Sequence, residues 1–147
     1  PSTYVYNEYQ KLELYKRISS IESKDEMEDM TDELIDRFGE PSRSVQNLLF
    51  IAMLRMEAHK AFVTDIVQRP EEIVFTLFER AAIDASGIPA VIEKNKPYVT
   101  FTADAKHPAF HYFYKKNSRI KPKDLPDLVM TFVKELQGLA LNQKSEN

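Results

Sequence analysis

The spacing of apolar residues changes near Thr64, and this change constrains the possible folds more than any other feature of the chain. Before Thr64, apolar residues recur at the three- and four-residue spacing of an amphipathic helix. After Thr64, short runs rich in β-branched and aromatic residues are typical of strands. The first part of the chain is therefore predicted to form three helices, at about residues 7–21, 23–38 and 42–62.

The second part of the chain is predicted to form a small sheet. The predicted strands lie at about residues 66–67, 73–78, 98–102 and 110–114. A short helix is expected within 80–94, and a last helix from Pro122 or Asp124 to about residue 141. Because the helices come first as a block and the strands can pair as hairpins, the order favours an α+β fold. We expect an N-terminal layer of three helices, then a small, mostly antiparallel four-stranded sheet with two further helices.

The ends of the predicted helices have recognisable sequence patterns. Ser23, with Glu26 three residues later, predicts a capping box at the start of the second helix. Gly39 is suited to a left-handed conformation that stops this helix, and Pro41 prevents its resumption. The third helix is apolar almost all round over 48–56, which predicts burial on most of its sides.

A length of 147 residues fits one domain, predicted over 1–147. Within it we expect a helical part at 7–63, a sheet-containing part at 64–141 and a polar tail at 142–147. The chain begins at Pro1 rather than at methionine, so we expect a fragment of a larger protein.

The composition argues against several classes of site. There is no cysteine, which excludes disulfides, thiolate metal sites and thiol nucleophiles and fits a reducing cytoplasm. The longest apolar run, at 48–54, has seven residues and cannot cross a bilayer. Because there is also no secretion leader, we expect a cytoplasmic protein with no membrane partner. Three isolated glycines cannot form a loop that cradles phosphates, so no nucleotide site is expected.

The histidines do not form a convincing metal or catalytic site. His107 and His111 have ligand-like spacing only on a shared helix, whereas Pro108 and the aromatic neighbours indicate a strand. In a strand, positions four apart are separated by roughly 13 Å. We therefore predict surface or edge histidines, and no catalytic, cofactor-binding or metal-ligating residue in the chain.

Residues 22–40 form a strongly acidic segment, with nine acids and two bases and a net charge of −7. The apolar stripe of the second predicted helix consists of Met27, Met30, Leu34 and Phe38. Seven acids cover its opposite arc: Asp25, Glu26, Glu28, Asp29, Asp32, Glu33 and Asp36. Such an arc is most simply a solvated face. The alternative is a docking face for a basic protein surface.

Residues 115–123 form a basic segment, with five bases and no acids, directly after the aromatic run HYFY at 111–114. Basic side chains beside aromatic rings can bind single-stranded nucleic acid: the basic groups contact phosphates, and the nucleobases stack on the rings. The candidate contacts are Tyr112, Tyr114, Lys115, Lys116, Arg119 and Lys121. The simpler alternative is a solvated loop after a core strand, in which Phe110, Tyr112 and Tyr114 share one buried face.

Several segments carry a family resemblance. They are LELYKRI at 12–18, ELIDRFG at 33–39, Pro41, and VQNLL at 45–49. Together they resemble the C-terminal domain of the bacterial transcription-repair coupling factors (Mfd). The resemblance covers most of the chain and is strongest through about residue 62. It implies a parent DNA translocase that displaces stalled RNA polymerase and recruits the repair protein UvrA, with ATP and Mg²⁺ bound in an upstream motor.

The resemblance also implies a role for this domain. In the family the C-terminal domain is not catalytic and needs no cofactor. It packs against the N-terminal UvrA-binding module and keeps the free protein inhibited. UvrA, RNA polymerase and double-stranded DNA would then be indirect partners, reached through the full-length protein. Carried over to the ELIDRFG helix, the docking residues are Glu33 and Asp36, with Asp29 and Arg37 on the same face. The chain departs from the family near 62–64, where the glycine that usually closes the third helix is missing.

Overall fold

The computed structural model describes residues 8–141, with side chains from residue 12 onward. The chain divides into two compact units, with the boundary between Met56 and Glu57. The helices of the first unit are α1 (Glu8–Ser19), α2 (Lys24–Phe38) and α3 (Arg43–Lys60), and the boundary falls within α3. The three predicted helices are confirmed, although the predicted start at residue 7 lies outside the described residues.

The core of the first unit forms between the three helices. Its buried members are Leu14, Ile18, Ile21, Met27, Met30, Leu34, Val45, Leu49 and Ala52. The apolar stripe of α2 is confirmed, since three of its members are buried and Phe38 packs against them. The prediction that α3 is buried on most sides is wrong at Ile51, which is 55% exposed.

Side-chain and backbone hydrogen bonds fix the helix ends. The Ser23 hydroxyl accepts from the Glu26 amide at 3.1 Å, as a helix cap requires. The Glu26 carboxylate accepts from the amide of Glu22, also at 3.1 Å, one residue earlier than in the predicted capping box. At the other end of α2, Gly39 has φ 81° and ψ −161°, and its amide donates to Ile35. The predicted stop at Gly39 is confirmed.

The second unit contains a four-stranded antiparallel sheet and two α-helices. The strands are β1 (Val63–Gln68), β2 (Ile73–Leu77), β3 (Val99–Thr102) and β4 (Ala109–Tyr112), and the helices are α4 (Ile88–Lys94) and α5 (Leu125–Gln137). The strand order is β1-β2-β4-β3, and every neighbouring pair is antiparallel. The predicted α+β fold is confirmed.

Aromatic packing between the sheet and α5 forms the centre of the second unit. Phe75 and Phe110 are cross-strand partners, and both are fully buried. Their rings lie 4.9 and 5.8 Å from the ring of Phe132 on α5, in tilted and edge-on geometries that aromatic pairs favour. Tyr112 adds a third edge-on contact to the same ring, at 5.4 Å. These contacts fix which face of the sheet α5 covers.

The fourth strand is shorter than predicted, because it ends at Tyr112 rather than at Tyr114. Tyr114 begins a short 3₁₀ turn over Tyr114–Lys116. Its hydroxyl donates to the carbonyl oxygens of Arg69 at 2.6 Å and Pro70 at 3.2 Å. Tyr114 therefore anchors the loop between β1 and β2 instead of continuing the aromatic face of β4.

The junction between α3 and β1 is closed by Phe62, which has a φ of 60°. A non-glycine residue rarely adopts a positive φ, so Phe62 takes on the conformation that the missing glycine would favour. Its carbonyl accepts from the Phe78 amide at 2.8 Å, which extends the β1–β2 pairing by one bond. The ladder then has a bulge between Val63 and Asp65. The first strand consequently starts at Val63, earlier than predicted.

Replacing Gly39 by alanine tests the stop signal of α2. The φ and ψ of Gly39 are nearly exclusive to glycine. No atom of the described residues lies within 4 Å of an added Cβ, so backbone strain alone should act. We expect Gly39→Ala to lower the free energy of unfolding by about 1–3 kcal/mol in urea denaturation. The exposed control Ser44→Ala should change it by less than about 0.5 kcal/mol. Equal stability of Gly39→Ala and the wild type would contradict this account.

Candidate docking face

The acidic face of α2 lies opposite its buried stripe. Its members are Asp25, Glu26, Glu28, Asp29, Asp32, Glu33 and Asp36. Of the four residues predicted to dock, Asp29, Glu33 and Asp36 are spaced by four and three positions and so share one side of the helix. Asp29, Asp36 and Arg37 are exposed, whereas the Glu33 side chain is 37% exposed. The structure thus places all four predicted residues on one accessible surface.

Glu33 is held within the unit by two arginines. The Arg17 guanidinium on α1 donates to both carboxylate oxygens, with Nη2 at 2.8 Å from Oε1 and Nη1 closer still to Oε2. Arg37, one turn further along α2, donates to Oε2 at 3.4 Å. The hydrogen bonds from Arg17, together with its charge and the weaker contact with Arg37, lower the pKa of Glu33 to about 2. Glu33 joins α1 to α2 and is not a free carboxylate.

Arg17 is the residue that sequence reasoning missed. It lies in the LELYKRI motif, and its partner lies in ELIDRFG, sixteen positions later. The two motifs can be identified in the sequence, but their spacing does not show that Arg17 of the first contacts Glu33 of the second. The only signal in the sequence is that Arg17 lies near the end of the first predicted helix, shortly before the acid-rich second helix.

Asp29 and Asp36 are, like Asp25, Glu28 and Asp32, exposed acids whose charge remains available. Among the side chains of residues 12–141, neither the Asp29 nor the Asp36 carboxylate has an ion-pair or hydrogen-bond partner. Arg37 is partly occupied, since its guanidinium lies 5.1 Å from the centre of the Phe38 ring and also contacts Glu33. A partner that approaches this side of α2 would meet two unpaired carboxylates beside one engaged arginine.

A cleft of about 250 Å³ lies between α1 and α2 along the acidic face. Its lining consists of Arg17, Ser20, Ile21, Glu26, Asp29, Met30 and Glu33. Ile21 and Met30 supply apolar surface, and the remaining side chains supply polar or charged groups. Such a lining suits a long basic side chain, because the aliphatic stem can lie on apolar atoms while the charge reaches a carboxylate.

The aromatic residues of the predicted nucleic-acid segment face the core. Tyr114 is 7% exposed and its hydroxyl is already bonded, so a base cannot stack on it in this fold. Tyr112 is half-buried between Tyr98 and Phe132, and burial raises the pKa of its hydroxyl, with a further contribution from the charge of Glu135. The basic side chains of this segment are all exposed, in contrast to the two tyrosines; they are those of Lys115, Lys116, Arg119 and Lys121. Their contact with nucleic acid stays a prediction.

The histidines are kept apart by the fold. His111 lies on β4, where Nδ1 is 2.5 Å from Oε1 of Glu72 and Nε2 is 2.9 Å from Oγ1 of Thr102. His107 is exposed in the loop before β4. Among the side chains that the structure describes, those of residues 12–141, there is no group of three or more His, Asp or Glu that could hold a metal ion. Over the same residues, no helix has the length and apolar character needed to span a membrane.

Comparison with known proteins gives consistent matches. The family model of the TRCF domain matches residues 1–88. Transcription-repair-coupling factors of Staphylococcus haemolyticus and Bacillus subtilis are 33% and 32% identical over 87 residues, which is 59% of this chain and 7% of each relative. The corresponding factor of Myxococcus xanthus is 28% identical over 106 residues, covering 72% of this chain and 9% of the relative. The matched part of the chain thus spans less than a tenth of the length of these relatives.

A solved structure shares the fold over a longer stretch. A crystal structure of the C-terminal domain of transcription-repair coupling factor superposes with a TM-score of 0.73. The superposition covers 94% of this chain and 85% of that chain, at 23% sequence identity. The similarity of fold therefore continues past residue 88, where the family match ends.

The Arg17–Glu33 contact predicts a specific dependence of stability on pH. Because the pKa of folded Glu33 lies near 2, below its ordinary value of 4.5, its contribution is complete above about pH 5 and is lost as the pH falls towards 2. Glu33→Gln should therefore be less stable than the wild type at pH 7, and the difference should shrink on acidification. Urea unfolding between pH 7 and 2 measures this.

The matched control for Glu33→Gln is Asp36→Asn, which removes a carboxylate on the same side of α2 that pairs with no side chain of residues 12–141. Its difference from the wild type should change less with pH. A Glu33→Gln difference that is the same at pH 7 and pH 2 would show that the arginine contacts do not stabilise the fold.

Proposed function

The chain belongs to the TRCF domain family, and we propose that it is a non-catalytic regulatory domain of a transcription-repair coupling factor. In this proposal the acidic face of α2 docks onto the UvrA-binding module of the same protein and masks it. The name of the family denotes a domain and no reaction. The inhibitory role rests on the family resemblance of the LELYKRI and ELIDRFG motifs, together with the surface that these motifs form.

The observation that carries the proposal is the set of exposed carboxylates on α2 that pair with no described side chain, and Asp29 and Asp36 are the members that the family resemblance also indicates. Asp29 and Asp36 lie two helical turns apart and are both exposed, so one flat basic surface could contact them at the same time. An exposed ion pair contributes only about 0–1 kcal/mol, and salt screens it. A contact made of a few such pairs is weak and reversible, which suits an inhibitory clamp that must open.

The arginine contacts of Glu33 support this surface indirectly. The bidentate geometry with Arg17 fixes α1 against α2, since two parallel hydrogen bonds restrict orientation as well as distance. Glu33 is therefore a positioning residue in this proposal, rather than a residue that touches the partner. The cleft beside it would receive an arginine or lysine of the partner, with the charge directed to Asp29.

The activities of the whole coupling factor belong to the same proposal. ATP- and Mg²⁺-dependent movement on double-stranded DNA, contact with RNA polymerase and recruitment of UvrA would come from other parts of a cytoplasmic protein. Engagement of those parts would shift the domain from a docked to a released state. A ligand shifts such an equilibrium only as far as it prefers one state over the other.

Charge reversal at the two unpaired carboxylates tests the docking face. Asp29→Lys combined with Asp36→Lys replaces two attractions by two repulsions, so affinity for the isolated UvrA-binding module should fall by about tenfold or more at low salt. Titration calorimetry or fluorescence anisotropy with the purified module measures the change. The effect should diminish as salt is added.

The matched control makes the same change of charge outside the helix. Glu22→Lys combined with Glu40→Lys alters exposed acids that flank α2 in the same unit. This variant should retain affinity to within about threefold at low salt. If the Asp29/Asp36 variant binds as tightly as the wild type at low salt, the docking face has been assigned to the wrong surface.

A further inference from the structure

A second charged surface lies in the other unit, on the loop between β4 and α5. This basic turn consists of Lys115, Lys116, Arg119, Lys121 and Lys123. No acid occurs in the sequence between Asp104 and Asp124. All five side chains are exposed, and none of them forms an ion pair with a side chain of residues 12–141. Five like charges within nine residues, none of them paired with an acid among the described side chains, favour an anionic ligand.

Backbone hydrogen bonds hold the basic turn in a defined shape. The amides of Lys116 and Asn117 donate to Phe113 and Tyr114 at 3.2 and 3.1 Å, and the amide of Ile120 donates to Asn117 at 3.1 Å. The Arg119 amide donates to the side-chain oxygen of Asn117 at 3.0 Å. A ligand therefore meets charges on an ordered backbone, which reduces the entropy lost on binding.

Two further contacts tie the ends of the basic turn to its surroundings. The Lys121 amide donates to the Asp124 carboxylate at 2.9 Å, just before α5. The Lys115 amide donates to the carbonyl of Glu71 at 3.5 Å, and buried Tyr114 anchors the same end through Arg69 and Pro70. Two acids, Glu71 and Asp124, therefore accept hydrogen bonds from backbone amides of the turn. Neither forms an ion pair with a basic side chain of the turn among the described side chains.

The basic turn lacks the apolar anchor that protein interfaces use. Large exposed hydrophobic residues among those described lie elsewhere, at Leu12, Ile35, Ile51, Val67, Phe78 and Leu141. Phe113 is half-buried, with the Lys116 ammonium 4.8 Å from its ring centre and His111 stacked at 6.3 Å. Protein–protein interfaces depend on buried aromatic or aliphatic residues at their centre, whereas contacts with phosphates need only charge.

The chemistry of this surface decides between nucleic-acid ligands. Sites for single-stranded nucleic acid combine basic side chains with exposed aromatic rings. In this structure Tyr112 and Tyr114 pack inward. We propose that the basic turn binds the phosphate backbone of double-stranded nucleic acid without contacting its bases. The turn would add sequence-independent affinity, because phosphate contacts position a protein on a duplex but carry no sequence information. This proposal involves no residue of α2, so it stands or falls separately from the docking proposal.

Salt-dependent binding of a labelled DNA duplex to the 147-residue chain tests the proposal. The logarithm of the binding constant falls linearly with the logarithm of the salt concentration, and each phosphate neutralised contributes about −0.9 to the slope. Five basic side chains therefore set a limit of about −4.5. Affinity should then fall by up to several-hundred-fold between about 50 and 200 mM salt. Fluorescence anisotropy should give the same affinity for duplexes of unrelated sequence.

Neutral variants identify the surface. Lys115→Gln, Lys116→Gln and Lys121→Gln together should make the slope shallower by about 2.7 and abolish most binding at moderate salt. The control combines Lys96→Gln, Lys106→Gln and Lys134→Gln, which are exposed bases outside the turn. It makes the same change of net charge and should retain most of the affinity and slope.

Several results would overturn the proposal. They are absence of duplex binding at the lowest salt, equal binding by the two triple variants, and a preference of tenfold or more for single-stranded DNA. In a competition experiment, polyglutamate and unlabelled duplex are added at the same concentration of negative charge. If polyglutamate displaces the labelled duplex as effectively as unlabelled duplex does, the proposal is overturned in favour of an acidic protein ligand. Circular dichroism of each variant confirms that a loss of binding is not a loss of fold.

Discussion

The bidentate contact between Arg17 and Glu33 determines what the helical unit can present to a partner. It joins two motifs that lie on different helices, and it engages both oxygens of the Glu33 carboxylate near the middle of α2. The same contact lowers the pKa of Glu33 to about 2, so the acid is ionised at neutral pH. The acidic face of α2 therefore contains two kinds of carboxylate. Glu33 holds the helices together, whereas others, such as Asp29 and Asp36, face solvent.

The helices could be predicted well from sequence because their signals are local. The stripe of Met27, Met30 and Leu34, the Ser23 cap and the Gly39 stop each depend on residues within a few positions of one another. The strands were found, but their ends were not. Val63 joins β1 because Phe62 accepts a positive φ, and Tyr114 leaves β4 to bond distant carbonyls. Both outcomes depend on contacts between residues far apart in sequence.

The candidate site shows the same limit. The acids of α2 could be placed on one face from helical spacing alone, yet the spacing could not distinguish Glu33 from Asp29 or Asp36. That distinction depends on Arg17, which belongs to another helix. The basic turn gives the opposite result. Its lysines are exposed as their composition suggests, but the tyrosines beside them pack inward, which changes the kind of ligand the segment suits.

The bulge between Val63 and Asp65 has a consequence for how the molecule behaves in a crowded solution. β1 is an outer strand of the sheet, and an outer strand can recruit strands from other molecules into insoluble aggregates. Here the irregular hydrogen-bond spacing disfavours a regular incoming strand, and the exposed Asp65 would have to lose its hydration. The register shift that follows Phe62 thus also protects this edge from uncontrolled polymerisation.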